Sequence, residues 1–379
     1  MYKRSSRCQK GRAWIELDMG NLGHNVEQFK RLLPGTCTLM PAIKANAYGH
    51  GAGLVGQALS VMGIQDYCVA SVCEAVELRE AGITGQILIL GYTSPCQFGD
   101  LVRYNLTQTV VDLSYARKLN DYGKTIRVHV GIDTGMHRLG ERSEDVENIC
   151  EIWKLRNLTI TGVYSHLCAS DGNSDGERAF TQKQIAEFEA VVDSLHKRGI
   201  TGFQTHLQGS YGVLNYPELS YDYARVGIAL YGVLSMKNDK TAADIELRPV
   251  LSLKARIACV KMLHENEAVG YGLTYTAERD MKMAVVSIGY ADGIPRELSN
   301  KGCALVNGRR APVIGRVCMD QLLLDVSKLS DVSAGDEAVF IGRSGDEEIN
   351  VCEVAGSAGT ISNEILSRLG NRLERMPLS

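Results

Sequence analysis

Leu39-Met40-Pro41-Ala42-Ile43-Lys44-Ala45-Asn46-Ala47-Tyr48-Gly49-His50-Gly51 decides how the rest of the chain is read. A short run, apolar on both faces, ends in one lysine and passes into a glycine-rich turn. Such a run reads as a buried parallel strand, because a half-solvated strand would alternate. A lysine at its end is costly unless its charge is paired, lost or used. Burial favours the neutral amine, a nucleophile suited to a Schiff base with an aldehyde cofactor. Tyr48 follows four residues on, among glycines that let backbone approach a ligand.

Outward from this stretch a rhythm sets in. Strand-like runs fall at residues 39–44, 67–71, 86–91, 107–111, 126–132, 160–167, 202–208 and 223–230. Helical patterns fill most of the gaps, the clearest marked by Ile185, Phe188, Val192 and Leu195 and closed by Gly199. Alternating strand and helix predict a parallel sheet covered by helices, and eight units favour a closed (β/α)8 barrel. Ahead of the first unit, residues 14–18 form a strand, and Asn21 caps the helix after it. Past Arg248-Pro249 the texture changes to strands with little helix between, at 252–260, 283–288, 303–306, 313–317, 322–326 and 338–341. Asn307-Gly308 is a two-residue hairpin signal. The expected fold is therefore α/β: a barrel over residues 14–246, then a mostly antiparallel β domain over 247–379, joined by the N-terminal segment 1–13 and ending in a helix near 362–369.

Composition excludes several classes. The 379 residues are 45% hydrophobic and 22% charged, as in a globular protein. A net charge of −3 gives no reason to expect nucleic acid or an anionic membrane as partner. The 11 cysteines, with no C-x-x-C pair and no zinc spacing, suit free thiols in a reducing cytoplasm, and no metal is expected. Met1 to Arg12 is basic and polar, without the apolar centre of a signal peptide.

Chemistry-bearing residues fall at the strand ends where barrels of this kind keep their sites. Lys44 ends the first strand, and Asp133-Thr134-Gly135-Met136-His137-Arg138 follows the fifth. His166 closes the sixth, His206-Leu207-Gln208-Gly209-Ser210 the seventh, and Arg225-Val226-Gly227-Ile228 belongs to the eighth. Glycine and serine after the last strands match a barrel phosphate site.

The phrase around Lys44 resembles the pyridoxal-phosphate lysine signature of the alanine racemase family, and the resemblance extends from Trp14 to the C-terminus. It implies that Lys44 carries pyridoxal 5′-phosphate, with Tyr48, Ser210 and the Gly227 and Ile228 backbone on the phosphate. It implies Arg225 at the pyridine nitrogen, oriented by His166, and Arg138 at the phenolic oxygen and the substrate carboxylate. An always-charged guanidinium there leaves the ring a weaker electron sink, which restrains transamination and decarboxylation. Tyr271, in Ala268-Val269-Gly270-Tyr271-Gly272, resembles the family's second catalytic base. Tyr290, in Gly289-Tyr290-Ala291-Asp292-Gly293, is implied at the entrance, and Met319, in Cys318-Met319-Asp320, at the substrate carboxylate. In the family these three come from the other subunit, which implies a homodimer.

Three departures stand out. Gly131 falls near the position where most members carry a lysine beside the arginine matched by Arg138. Gly209-Ser210 replaces an Asn-Ser phosphate pair. Asn363, in Ile361-Ser362-Asn363-Glu364, stands where a tyrosine is usual. A carboxamide opens space and adds a donor and an acceptor, which favours serine's hydroxymethyl group over alanine. These departures resemble the serine/alanine racemases of vancomycin-resistance operons, in which a membrane-embedded N-terminal portion precedes a cytosolic racemase portion. The resulting expectation is a serine/alanine racemase catalytic domain in the cytoplasm, supplying D-serine for peptidoglycan precursors, with an anchor segment preceding Met1 in the full-length protein. A general alanine racemase, a pyridoxal-phosphate decarboxylase and a non-catalytic carrier of the cofactor remain alternatives.

Overall fold

The computed structural model describes residues 11–378. Residues 1–10, most of the segment expected to join the β domain, lie outside them.

Eight parallel strands form the first unit: Thr38–Leu39, Asp66–Val69, Gln86–Ile89, Thr107–Val110, Ile126–Asp133, Leu158–Tyr164, Gln204–His206 and Tyr223–Ala224. From the third strand on, each pairs with its predecessor in this order, and the last pairs with the first. Closure comes just beyond the first strand. Ala42 bridges Cys68, with the Ile43 N–H on the Cys68 carbonyl at 3.0 Å and the Cys68 N–H on the Pro41 carbonyl at 2.9 Å. Inside the barrel, buried Met40, Ala42, Cys68, Leu88 and Tyr223 pack as one cluster. Several covering helices carry side-chain caps. Ser71 with Glu74, and Ser174 with Glu177, form reciprocal capping boxes.

The second unit is organised on the long strand Leu251–Leu263, whose first half alternates buried and half-buried residues. It pairs antiparallel with Met281–Val286, Glu337–Ser344 and Ala13–Asp18. The hairpin at Asn307-Gly308 forms as expected: Val306 pairs with Arg309, and both turn residues have positive φ, 49° and 73°. Ser362–Ser367 is helical, and the last strand, Glu374–Leu378, runs parallel to Ala13–Asp18.

Two expectations are corrected. The strand at the head of the expected barrel span belongs to the β sheet. Its two edges find partners at residues 251–255 and 374–378, and Trp14 lies beneath the Arg256 guanidinium at 4.9 Å. The helix that follows, Met19–Leu32, is capped by Asp18, which accepts from the Asn21 N–H at 2.8 Å. Asn21 instead donates its side-chain amide to the Pro249 carbonyl at the barrel–sheet junction.

Candidate active site

The turn after Ile43 is not the loose glycine turn that its sequence suggests. Ala45, Asn46, Ala47 and Tyr48 all have left-handed backbone, with φ of 51°, 54°, 53° and 50°. Each non-glycine residue in that region costs about 1–2 kcal/mol, so surrounding contacts must hold it. Glu74 accepts from the Ala45 N–H at 2.7 Å and from the Ala70 N–H at 2.7 Å, tying the turn to the end of the neighbouring strand. Asn46 Oδ1 accepts from the Ala52 N–H at 2.7 Å. The turn places half-buried Lys44 and Tyr48 on one cavity of about 460 Å³ at the C-terminal ends of the barrel strands.

That cavity brings together Lys44, Tyr48, Arg138, His166, Ser210, Arg225, Gly227, Ile228 and Asn363. Tyr48 closes one corner. A Cβ at Gly227 would lie 2.6 Å from its hydroxyl, so glycine there is what lets phenol and backbone meet. Ser210 Oγ accepts from the Gly227 N–H at 3.0 Å and the Ala229 N–H at 3.3 Å. A hydroxyl, a phenol and backbone N–H groups converging on one corner suit a phosphate.

Arg225 lies across the floor, 5% exposed. Its Nη1 meets His206 Nδ1 at 2.5 Å, and its Nη2 meets the Ser165 carbonyl at 2.7 Å, the Leu207 carbonyl at 3.2 Å and His166 Nδ1 at 3.2 Å. The guanidinium also lies 5.0 Å over the Tyr164 ring, which stacks on His206. Because arginine only donates, His206 must accept at Nδ1 and carry its proton on Nε2. Nε2 then donates to His129 Nδ1 at 2.8 Å. Burial, reinforced by the Arg225 charge, pushes His129 and His166 down to about 3 and His206 well below the usual imidazole range. Two neutral imidazoles thus meet one cation, and a third stands behind His206. His166 was expected to orient Arg225; His206 makes the shorter contact, and His129 backs it. Sequence marked His206 only as a strand end, because a pairing between strands is not visible in local pattern.

Arg138 sits on the loop beyond Asp133. Asp133 accepts from the Gly135 and His137 N–H groups at 3.0 and 2.9 Å and meets His137 Nδ1 at 3.0 Å. Burial raises its pKa, but those bonds together outweigh it and hold the carboxyl below its usual range. Gly131 faces the same loop. A Cβ there would stand 3.2 Å from the Val110 carbonyl and 3.4 Å from Gly140 Cα, so the loop folds close where a longer side chain would stand.

At the far wall Asn363 Oδ1 accepts from Ser235 Oγ at 2.9 Å. The Ser235 N–H donates to the Tyr211 hydroxyl at 2.7 Å, and that hydroxyl donates to Asp239. Ser235, Tyr211 and Asp239 were not singled out in the sequence; a serine in a polar loop carries no signal of its own.

Tyr271 and Met319 do not reach this cavity within one chain. They line a separate cavity with Gly270, Cys318, Asp320 and Gln321. Tyr271 is 70% exposed, Met319 51% and Tyr290 41%. The Tyr290 and Ala291 N–H groups donate to the Cys318 and Met319 carbonyls, so these residues share one outward face of the β domain.

Comparison with known proteins agrees with this geometry. The alanine racemase N-terminal domain model matches residues 17–235, and the C-terminal domain model matches residues 250–377. The chain belongs to the alanine racemase family. It is 42% identical over 363 residues to an amino-acid racemase of Enterococcus faecalis and 40% identical over 363 residues to a serine/alanine racemase of Enterococcus gallinarum, covering 96% of this chain and 51% of each relative. The chain thus spans about half the length of these relatives. An alanine racemase of Carboxydothermus hydrogenoformans is 41% identical, with 96% of this chain and 98% of that protein covered. The solved alanine racemase of Clostridium difficile 630 superposes with a TM-score of 0.91 at 34% identity, covering 98% and 97% of the two chains. Enzymes of this family are pyridoxal-phosphate-dependent, and the corner at Tyr48, Ser210 and Gly227, with Lys44 on the same cavity, fits that group.

Proposed function

We propose that this chain racemises small amino acids, serine alongside alanine, by exchanging the α-proton between two bases on opposite faces of the substrate. The observation that carries this reading is the split site. The barrel mouth holds Lys44 and the cofactor cradle, and the remaining bases and contacts stand exposed on the β domain, as a site shared between two copies requires.

When bound, pyridoxal phosphate acidifies the α-proton of an attached amino acid. Lys44 would anchor the cofactor and move the proton at one face. The Tyr271 hydroxyl, from a second copy, would move it at the other. Tyr48, Ser210 and the Gly227 and Ile228 N–H groups would hold the phosphate. Arg225, locked by neutral histidines and carbonyls, would face the pyridine nitrogen without giving up its proton, which favours simple proton exchange over deeper electron withdrawal. Arg138 would take the substrate carboxylate, with the Met319 N–H of the second copy beside it and Tyr290 at the entrance.

Asn363 supports the serine assignment. Its carbonyl is engaged by Ser235, so its amide N–H groups are what it offers to a substrate hydroxyl. The experiment is to measure serine and alanine racemisation in the wild type and in Asn363→Tyr. A serine-to-alanine ratio that falls in the variant supports the reading; an unchanged ratio rejects it in favour of a general alanine racemase, which the full-length match to the Carboxydothermus enzyme supports equally. In a longer protein resembling the Enterococcus gallinarum relative, the activity would supply D-serine to vancomycin-resistant wall precursors from beside a membrane anchor. Among the described residues no helix is long and apolar enough to cross a membrane.

A further inference from the structure

We propose that Arg375, in the last strand of the chain, is a positioning residue for the cofactor anchor: it holds the left-handed turn of residues 45–48 that sets Lys44 and Tyr48 at the barrel mouth. This rests on the assignment of Lys44 and Tyr48 to the cofactor.

The argument is an account of the turn's polar groups. Its Ala45 N–H goes to Glu74 and its Ala47 N–H to the Ile43 carbonyl at 2.9 Å. The Ala45 carbonyl accepts from the Gly49 N–H at 3.0 Å, that of Asn46 from the Gly51 N–H at 2.9 Å, and that of Ala47 from the His50 N–H at 3.1 Å. His50 Nδ1 meets both the Ala47 and Tyr48 carbonyls, at 3.0 and 2.8 Å. The next carbonyl, Gly49, accepts from Arg375 Nε at 2.8 Å, 326 residues away in sequence. A carboxylate therefore caps the N–H end of the turn and a guanidinium its carbonyl end, the polarity that stabilises any helical turn.

Arg375 is also fixed at its own end. Its two terminal nitrogens donate to the Leu369, Gly370 and Leu373 carbonyls at 3.0, 3.2 and 2.9 Å. The same segment presses on the turn directly, since a Cβ at Gly49 would lie 2.0 Å from the Leu366 carbonyl. Four non-glycine residues in left-handed backbone revert unless both ends are held. Removing the guanidinium frees the carbonyl end, and the turn then lets Lys44 and Tyr48 drift from the cavity.

The test uses holoenzyme of the Arg375→Ala variant, with cofactor loss followed by decay of the Lys44-dependent absorbance band and amide hydrogen exchange followed at residues 49–51. Charge-assisted bonds of this kind set the expectation: the cofactor leaves about tenfold faster or more, exchange rises at Gly49, His50 and Gly51, and excess pyridoxal phosphate restores turnover. Wild-type retention of the cofactor in a folded variant overturns the proposal. So does faster exchange confined to Glu374–Leu378 with retention unchanged, the signature of a merely structural role. Should Arg375→Ala not fold, Arg375→Lys carries the same readouts, with an intermediate loss expected and wild-type retention again decisive against. If the wild type itself shows no Lys44-dependent band, it is the cofactor assignment that has failed.

Discussion

Arg225 Nη1 donates to His206 Nδ1 at 2.5 Å, so this buried guanidinium on the cavity floor is held by a neutral imidazole. Among the described residues its hydrogen-bond partners are His206, His166 and the carbonyls of Ser165 and Leu207, with no carboxylate. These neutral acceptors fix the guanidinium in place on the cavity floor.

His206→Leu leaves that guanidinium short of an acceptor inside the barrel. The expected cost is about 1–3 kcal/mol of stability, read by urea denaturation, with a matching fall in kcat/KM. His206→Asn, which restores an acceptor, is expected to recover part of both. Equal stability in His206→Leu and wild type would show that Arg225 does not depend on this contact.

Stability is expected to fall on acidification, from buried histidines. His50 is pushed down to about 4, and His129 and His166 to about 3, chiefly by burial. Their unfolded forms titrate near 6.5, so below that pH the unfolded chain binds more protons than the folded one. Their contribution is complete above about pH 6.5 and is lost as pH falls toward the folded values. Urea midpoints measured from pH 8 to pH 5 are expected to be level at first. Below about pH 6.5 they drop, the unfolding free energy falling by at least about 1.4 kcal/mol per pH unit. A flat profile down to pH 5 would contradict the assignment of these rings as neutral.

Gly227→Ala drives a methyl group against the Tyr48 hydroxyl, 2.6 Å from the Cβ position. Cofactor binding is expected to weaken by about tenfold or more, with the melting temperature of the cofactor-free chain changed much less. Spectroscopic titration with pyridoxal phosphate reads this directly; unchanged affinity would remove Tyr48 and Gly227 from the phosphate corner.

Asp292 fastens the outward face of the β domain. It meets both terminal nitrogens of Arg12, at 2.5 and 3.0 Å, and accepts from the Gly289 N–H at 3.0 Å, beneath the turn that carries Tyr290. Asp292→Ala is expected to cost about 2 kcal/mol, toward the low end for a buried pair because Arg12 stands partly in solvent. It is also expected to weaken self-association, checked by sedimentation across a concentration series. Association as tight as wild type would show that this face is not the contact.

Much of this was legible in the chain. The eight barrel strands announce themselves by apolar runs and spacing, and Asn307-Gly308 by the one backbone geometry that suits it. Lys44 and the strand-end residues could be placed on one mouth because a closed parallel barrel puts all such ends together. The left-handed turn was hidden, since Ala45, Ala47 and Tyr48 have no local preference for that backbone. It is held by Glu74, His50 and Arg375, two of them distant in sequence. The strand Ala13–Asp18 was recognised as a strand but placed with the barrel, because local pattern reports extended backbone and not which sheet receives it. The Ser235–Asn363 bond and the His129–His206 pair were hidden for the same reason.

The central claim, a site built by two copies, is tested most directly by mixing Lys44→Ala with Tyr271→Phe under conditions that exchange subunits, and measuring racemisation. Each variant alone is expected to be nearly inactive in both directions, because every racemisation uses both bases. Mixed dimers contain one site with Lys44 from one chain and Tyr271 from the other, so the mixture is expected to recover about a quarter of wild-type activity. A mixture no more active than the average of its parents would contradict the shared site.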